Sequence, residues 1–512
     1  MTVGRGRAAF GLLAAVVVAT TSGADATTGA KAHPDPVPAE VADHANDWPL
    51  PHHDYANSRA STSDAGITAA NVTTLRPAWT LPLPGRGVFG NFASTPLIVG
   101  STAYVQDLES NVFALDVKTG ATSWEAKFSK PVIGPNGVAV GYKLVYAVVG
   151  RGTVVALDLA TGKPRWSRSL TRTKDDGIDI QPTVYDGLVL VSTVPASIKN
   201  QVFAPNERGV LFALNAHSGK VVWHFDTVKG NLWGHPEVNA GGGAWFPPAI
   251  DTKRGVTYWG TGNPAPWAGT ADFPSGSSRP GANLYTDSVL AVGLHDGKLK
   301  WYRQAKAHDL FDHDLQHTLL AVGANGRELV LASGKGGTVF AYDAKTGAPV
   351  WHTDVGQHEN DRLKKISGNT FVAPGPLGGV ETPMAYADQT VYVPTVNNPA
   401  TYLPRRSNFV LNFNPDSGTG ELDAIDTTSG ALRWKHTFTK PLFSGATVVN
   451  DLVFTATFDG VLYALDRVNG AVLWTWAAPG GINGFPAAAG DTLLVPVGES
   501  NPAVLVALRP GG

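Results

Sequence analysis

Residues 114–124 read ALDVKTGATSW, and that pattern, an apolar strand end followed by a polar turn, a glycine and a tryptophan, returns six more times. The other copies are ALDLATGKPRW (156–166), ALNAHSGKVVW (213–223), AVGLHDGKLKW (291–301), AYDAKTGAPVW (341–351), AIDTTSGALRW (424–434) and ALDRVNGAVLW (464–474). Each copy has a mechanical reason. The acid and the Thr-Gly type pair make a tight hairpin turn, with Gly taking the positive φ that other residues resist. The tryptophan on the returning strand is too large to hide inside one small sheet. Set between adjacent sheets, it buries on the order of 200 Å² and stitches neighbour to neighbour. Upstream of most copies lies a second strand pair, as in STPLIVGSTAYVQDLESNVFALD at 94–116. Four strands per repeat at this spacing make a propeller blade.

The chain ends supply one blade more. LRPAWTLPL (75–83) has the tryptophan without the preceding strand, and AVLVALRP (503–510) has the strand without the tryptophan. Paired, they close an eighth blade and remove the exposed sheet edges that invite aggregation. The expectation is an all-β, eight-bladed β-propeller over residues 47–512, its last blade closed by N- and C-terminal strands. Insertions beyond the basic blade fall at 201–207, 264–288 and 356–382. Long loops sharing one propeller face would cap the central funnel.

Composition bounds the ligand. With 58 Gly, 36 Pro and 14 Trp in 512 residues, the chain is built of many turns and large apolar anchors. Forty basic against 42 acidic residues leave a formal charge of -2, so no basic field exists to hold nucleic acid. Cysteine is absent, which excludes disulfides, thiolate zinc sites, iron-sulfur clusters and thioether-attached haem. Arg5 and Arg7 precede the apolar run AAFGLLAAVVVA (8–19), and Ala24-Asp25-Ala26 has the small-x-small pattern of a cleavage site. Residues 1–26 are read as a cleaved signal peptide, residues 27–46 as a flexible leader, and the mature protein as secreted or extracytoplasmic with no stable membrane span.

The densest chemistry is AHDLFDHDLQH at 307–317, with three carboxylates and three imidazoles in eleven residues. Asp312 and Asp314 repel each other unless a metal lies between them, the loop is wide and wet, or the side chains face opposite ways. His308, His313 and His317 leave a transition-metal site as an alternative, although their spacing fits no standard helical ligand pattern. Phe311 reads as a packing anchor, and the doublet His52-His53 as surface.

The repeats, together with HDYANSRAS (53–61), GGGAWFPPAIDTKRGVTYWGTGNPAPW (241–267) and the His-Asp-x-x-Asp segment, resemble the quinoprotein alcohol dehydrogenases. The resemblance covers essentially the whole mature chain. It implies an eight-bladed propeller that binds pyrroloquinoline quinone (PQQ) with a calcium or lanthanide ion in its funnel. It also implies roles: Trp245 as the floor on which the quinone stacks, Asn263 as an amide-oxygen metal ligand, and Asp312 as the acceptor of the substrate hydroxyl proton and a metal neighbour. Asp314 matches an additional acid of some branches, including the lanthanide-using one, which makes it a metal ligand or metal-facing neighbour; Lys335 matches the cation near the quinone oxygens, and Asn397 an amide that bonds the cofactor. Three departures stand beside these matches. The family's adjacent cysteine pair is missing, Asn136 stands where an arginine is usual, and the metal-binding glutamate is replaced by Glu207, displaced within an insertion.

The implied activity is oxidation of alcohol or polyol hydroxyls, with electrons passed to an external acceptor such as a cytochrome because the chain has no haem site. The alternatives are a non-catalytic PQQ-repeat propeller serving as an envelope binding or assembly module, and a metal-dependent sugar-binding propeller.

Overall fold

All seven repeat hairpins turn through a left-handed glycine: φ at Gly120, Gly162, Gly219, Gly297, Gly347, Gly430 and Gly470 lies between 63° and 78°. The computed structural model describes residues 35–511 except 64–65, 87–93, 133, 174, 197, 200–201, 406–409, 412–416 and 501. The expected signal peptide and the first part of the expected leader lie outside the described residues.

Eight sheets with four antiparallel strands each follow one another among the described residues, two of them extended by a short fifth strand, Asp176–Gly177 in the third and Ala60–Ser61, which pairs in parallel, in the seventh. The first comprises Leu97–Val99, Thr102–Gln106, Val112–Asp116 and Thr122–Ala126. Blades two to seven span 138–169, 183–226, 249–304, 317–354, 385–438 and 447–477. In the eighth, Leu75–Leu83 pairs antiparallel with Ala503–Pro510, which continues into Thr492–Val497 and Ala487–Ala489. The expected closure by both chain ends is present. Central strands such as Leu144–Val149 are buried at every position, whereas outermost strands such as Pro164–Ser169 alternate between exposed and half-buried.

The repeat tryptophan works as a latch. Trp124 donates its indole N–H to Leu159 O of the next blade at 3.0 Å, and Trp301 does the same to Ala344 O at 3.1 Å. The same bond recurs from Trp79, Trp166, Trp223, Trp351 and Trp434. Each ring lies flat against the turn glycine of that next blade; a Cβ added at Gly347 would sit 2.6 Å from the ring of Trp301. The repeat thus encodes a joint between blades as well as a hairpin. Gly347→Ala, with φ +67° and that collision, is expected to cost about 2–4 kcal/mol, combining left-handed strain with overpacking. Gly230→Ala is the control, since its φ is +70° with nothing within 4 Å. Equal unfolding midpoints for the two variants would remove the latch from this account.

A strap at the N-terminal end of the described chain touches every blade. Pro36 O accepts from Asp186 N (2.7 Å), the Glu40 carboxylate accepts from Tyr142 N and Lys143 N, and Trp48 exchanges backbone bonds with Ile98. Ile250, Leu320, Tyr386 and Val448 then donate their N–H groups to Tyr55, Ala56, Ser58 and Arg59 in turn, and Gly66 N donates to Gly490 O. The segment expected to be a loose leader is therefore docked from residue 35 onward, because its backbone groups complete the inner strand edges. His52 is 5% exposed and His53, half-buried, packs against Trp48 at 5.0 Å between ring centroids, so the doublet is held in the strap and is not a surface feature.

Candidate functional site

Two of the insertions and the 307–317 loop share a small core of their own. Ala265, Trp267 and Ala268 of one insertion meet Ile366 and Val372 of another, with Leu310, Phe311 and Tyr402 between them. Tyr402 donates its hydroxyl to Phe311 O at 2.6 Å, and Ser275 Oγ bonds Ile366 O at 3.1 Å. Thr370–Val372, Ala400–Tyr402 and Val410–Leu411 form a three-stranded sheet beside this core. Two of the three insertions thus build one shared cap layer, and Phe311 anchors it. The 201–207 insertion is described only in part.

Local bonding shapes the acidic loop. Buried Asp309 accepts the N–H groups of Phe311 (3.1 Å) and His313 (2.8 Å), and Asp312 adopts φ 64°. The loop is thereby bent so that Asp312 and Asp314 meet the same partner. Lys335 Nζ lies 3.1 Å from Asp312 Oδ2 and 2.7 Å from Asp314 Oδ2. Of the three ways to relieve two neighbouring acids, the structure uses a cation, and it is a side chain of the next hairpin. Gly334 makes this approach possible: a Cβ there would lie 1.9 Å from Asp314 O.

Asp314 also reaches the other half of the site. Its Oδ1 accepts the Asn263 backbone N–H at 2.6 Å. Asn263 Nδ2 donates to Pro264 O at 3.2 Å, which leaves Oδ1 as the amide atom able to ligate. Gly262 closes the join, since a Cβ there would fall 2.6 Å from Asp314 Oδ1 and 3.1 Å from Trp245 Nε1. Trp245, half-buried, packs on Val194 and Ala196. Trp245, Asn263, Asp312, Asp314 and Lys335 are thus brought together. Glu207 is fully buried, and its carbonyl accepts Gly241 N while Gly242 N donates to Asn263 O (3.1 Å), so the displaced glutamate lies in the same backbone neighbourhood. Asn397 is not joined to the group by a hydrogen bond. Its Oδ1 accepts Gln357 N and its Nδ2 donates to Glu421, both at 2.9 Å, because the long 356–382 insertion and the neighbouring strand claim the amide. Asn136, buried, spends its Nδ2 on Asp107 O at 2.8 Å and offers no positive charge.

The histidines do not converge. His308 bonds Ser275 O, His313 bonds Pro374 O and Lys306, and His317 packs on Phe246 at 4.2 Å between centroids. Burial pushes His313 and His317 down to about 3, leaving both neutral at physiological pH. Because the three rings go to separate partners, the transition-metal alternative has no support in these imidazoles among the described residues.

Charge within the site is tightly balanced. Burial works against the Lys335 ammonium, but Asp312, Asp314 and Glu381 outweigh it and hold the lysine charged. Burial pushes the Asp312 carboxyl well up, opposed by Lys335 and reinforced by Asp314. Glu381, which sequence reasoning missed, is pushed by burial up to about 7, with Lys335 pulling the other way. Its place at the end of the 356–382 insertion is the one clue the sequence holds. Glu381 gains negative charge as pH rises through 7, so cation affinity of the site is expected to climb from pH 6 to pH 8. The extra climb disappears in Glu381→Gln, as measured by calcium or lanthanum calorimetry at both pH values; parallel curves for the two proteins would contradict this. The stability sign is opposite: a carboxyl raised in the folded state loses its contribution as pH climbs through 7, so native stability falls there.

In residue type, the group suits both a hard cation and a flat anionic quinone. An amide oxygen and two carboxylates are the donors that calcium and similar ions take. Lys335 supplies positive charge, and Trp245 with its glycine-lined neighbour Gly262 supplies a flat wall into which no Cβ fits.

Residues 48–134 and 170–364 match the family of glucose/ethanol/alcohol dehydrogenase β-propeller domains, and residues 417–508 match that of outer membrane protein assembly factor BamB. Quinoprotein alcohol dehydrogenase PedH of Pseudomonas putida is 28% identical over 82% of this chain and 80% of its own. The crystal structure of quinohemoprotein alcohol dehydrogenase from Comamonas testosteroni superposes with TM-score 0.79 at 24% identity, over 91% of this chain and 81% of that one. A europium-containing methanol dehydrogenase gives TM-score 0.76 at 21% identity, covering 92% and 99%.

Proposed function

The chain belongs to the glucose/ethanol/alcohol dehydrogenase β-propeller family, and on that premise we propose that it is an exported quinoprotein that oxidises alcohol or polyol hydroxyls with PQQ and a calcium or lanthanide ion. The observation that carries this reading is the meeting of Asp312, Asp314 and Lys335 with Asn263 beside Trp245. Bound there, PQQ supplies the hydride acceptor and the metal ion a Lewis acid that sharpens it.

The residues divide the remaining work. Asn263 Oδ1, Asp312 and Asp314 would hold the ion, and Glu207, whose backbone bonds Gly241, is the further acid of this neighbourhood. Trp245 would offer the quinone a flat apolar wall and exclude water there. Lys335 neutralises the acids and faces the anionic cofactor. Asp312 takes the hydroxyl proton; burial holds its carboxyl well above the usual carboxylate range even with the Lys335 ammonium 3.1 Å away, so the charge of a bound metal ion would be needed to keep it ionised. The displaced glutamate and Asn136 in place of arginine weaken the hold on the ion and on the cofactor carboxylates, so affinity for PQQ is expected to depend strongly on the metal. The export signal read in residues 1–26 supports a site of action outside the cytoplasm, with an external carrier such as a cytochrome to remove the electrons. Among the described residues no helix is long and apolar enough to cross a membrane.

Purified mature protein, supplied with PQQ and either calcium or lanthanum, should reduce an artificial dye when given a panel of primary alcohols and polyols. Absence of turnover with every metal and substrate would sink the enzyme reading. It would favour the second one, a non-catalytic envelope binding or assembly module, to which the match at residues 417–508 and Asn136 point.

A further inference from the structure

Lys306 lies just before the acidic stretch 307–317 and takes no part in the chemistry described so far, yet it meets that loop at three points. Its Nζ is 3.6 Å from Asp309 Oδ1, stands 5.4 Å from the centroid of the Phe311 ring, and donates to His313 Nδ1. An ammonium can only donate, so Nδ1 is the accepting nitrogen of a neutral imidazole, and Nε2 carries the proton that goes to Pro374 O at 2.9 Å. Lys306 also donates to Asp361 O at 2.8 Å. Lysine and imidazole together tie the loop to two carbonyls of the 356–382 insertion.

These contacts bracket the turn that aims the acids. The fully buried Asp309 carboxylate accepts the N–H of Phe311 on one oxygen and that of His313 on the other. Between those two residues Asp312 takes φ 64°, a left-handed value that a residue with a side chain holds when its surroundings impose it. Lys306 supplies the cation opposite Asp309 and fixes the ring that follows Asp312. The lysine is also reachable. With 24% of its side chain exposed, it lines a cavity of about 270 Å³ with His313, Asp361 and the exposed Arg362. A Cβ added at Gly336, on the same wall, would meet only His313 Cβ, at 3.8 Å.

We propose that Lys306 is a positioning residue: by holding Asp309, His313 and Asp361 O together, it sets the turn from which Asp312 and Asp314 face the ion and the substrate. This rests on the dehydrogenase reading. Groups that orient metal-binding side chains change affinity or activity by about 10–100-fold when removed.

The test uses the full mature protein and two readouts: dye-coupled turnover with PQQ and saturating calcium or lanthanum, and terbium binding followed by tryptophan-sensitised emission without PQQ. In Lys306→Ala, kcat should fall about 10–100-fold with KM within a few-fold, and terbium should bind about tenfold more weakly. Lys306→Arg should keep both near wild type, because a guanidinium retains the charge and the donors. Propylammonium, which fits the space that Lys306→Ala adds to the cavity, should restore kcat and terbium affinity saturably, each value taken relative to the wild type at the same amine concentration. Lys306→Met, which keeps the stem over Phe311, decides the point if Lys306→Ala does not fold. Wild-type kcat and terbium affinity in Lys306→Met would overturn the proposal, whatever happens to the unfolding midpoint. A loss that neither Lys306→Arg nor propylammonium restores would mark general damage and overturn it too. If dye reduction fails in every protein, the dehydrogenase reading has failed and terbium alone decides: weaker binding in Lys306→Met supports the positioning role, while equal binding, or none to any protein, overturns it.

Discussion

Asp312→Asn is expected to lower kcat for dye-coupled alcohol oxidation by about 10²–10⁴-fold while leaving KM within a few-fold, the effect of removing a general base. The substitution keeps the side-chain volume, and Lys335 retains Asp314 at 2.7 Å, so the fold and the site wall should survive. Asp314→Asn should behave differently. It loses the carboxylate that joins Lys335 to the Asn263 N–H, so metal affinity should weaken more than turnover at saturating metal. Stopped-flow kinetics with metal titration separates the two. A KM effect alone in Asp312→Asn would assign the residue to binding and remove it from proton transfer.

The second large effect concerns stability. Arg59 is fully buried, and burial pushes its guanidinium down to about 9. It donates to Ala446 O, Pro486 O, Thr95 Oγ1, Thr447 Oγ1 and, at 3.4 Å, Pro51 O, and it lies 5.5 and 5.6 Å from the ring centroids of Trp48 and Phe485. Its partners come from the strap and from the first, seventh and eighth blades, so it fastens the ring where the chain ends meet. Arg59→Met relieves the cost of burying a charge but strands several carbonyl and hydroxyl oxygens, each worth about 1–3 kcal/mol when unpaired. A net loss of about 3–5 kcal/mol is expected, read as a lower unfolding midpoint. Arg59→Lys should fall between the two, since an ammonium keeps the charge but cannot serve five acceptors in a plane. A wild-type midpoint in Arg59→Lys would mean that the charge, and not the fork of donors, holds the junction.

What the sequence made legible follows from how each feature is encoded. The eight blades were readable because each joint uses a side chain with no substitute, tryptophan, and a turn that only glycine adopts freely, repeated in order from Trp79 to Trp434. The cap was readable from the lengths of two insertions and the apolar Phe311 between the acids. The strap was not, since its contacts to eight blades are mostly backbone bonds that leave no residue pattern. The same limit applied at the site. Asp312 and Asp314 announced a need for a cation, yet that Lys335 answers it from the next hairpin depends on the fold of blade five. Glu381 stayed hidden because its neighbours along the chain carry no charge, and only folding sets it near Lys335. Asn397 illustrates the converse. Its motif fitted, but tertiary partners at Gln357 and Glu421 hold its amide.

The central claim is that the funnel holds PQQ and a metal ion together, and equilibrium titration of the mature protein tests it most directly. Cofactor absorbance and tryptophan fluorescence would be followed with calcium, with lanthanum and with neither. The account expects saturable, metal-dependent binding that is lost in Trp245→Ala and in Asp314→Asn. Absence of binding at micromolar PQQ with either metal would contradict it and leave a propeller that keeps the family's latch and ring without its cofactor.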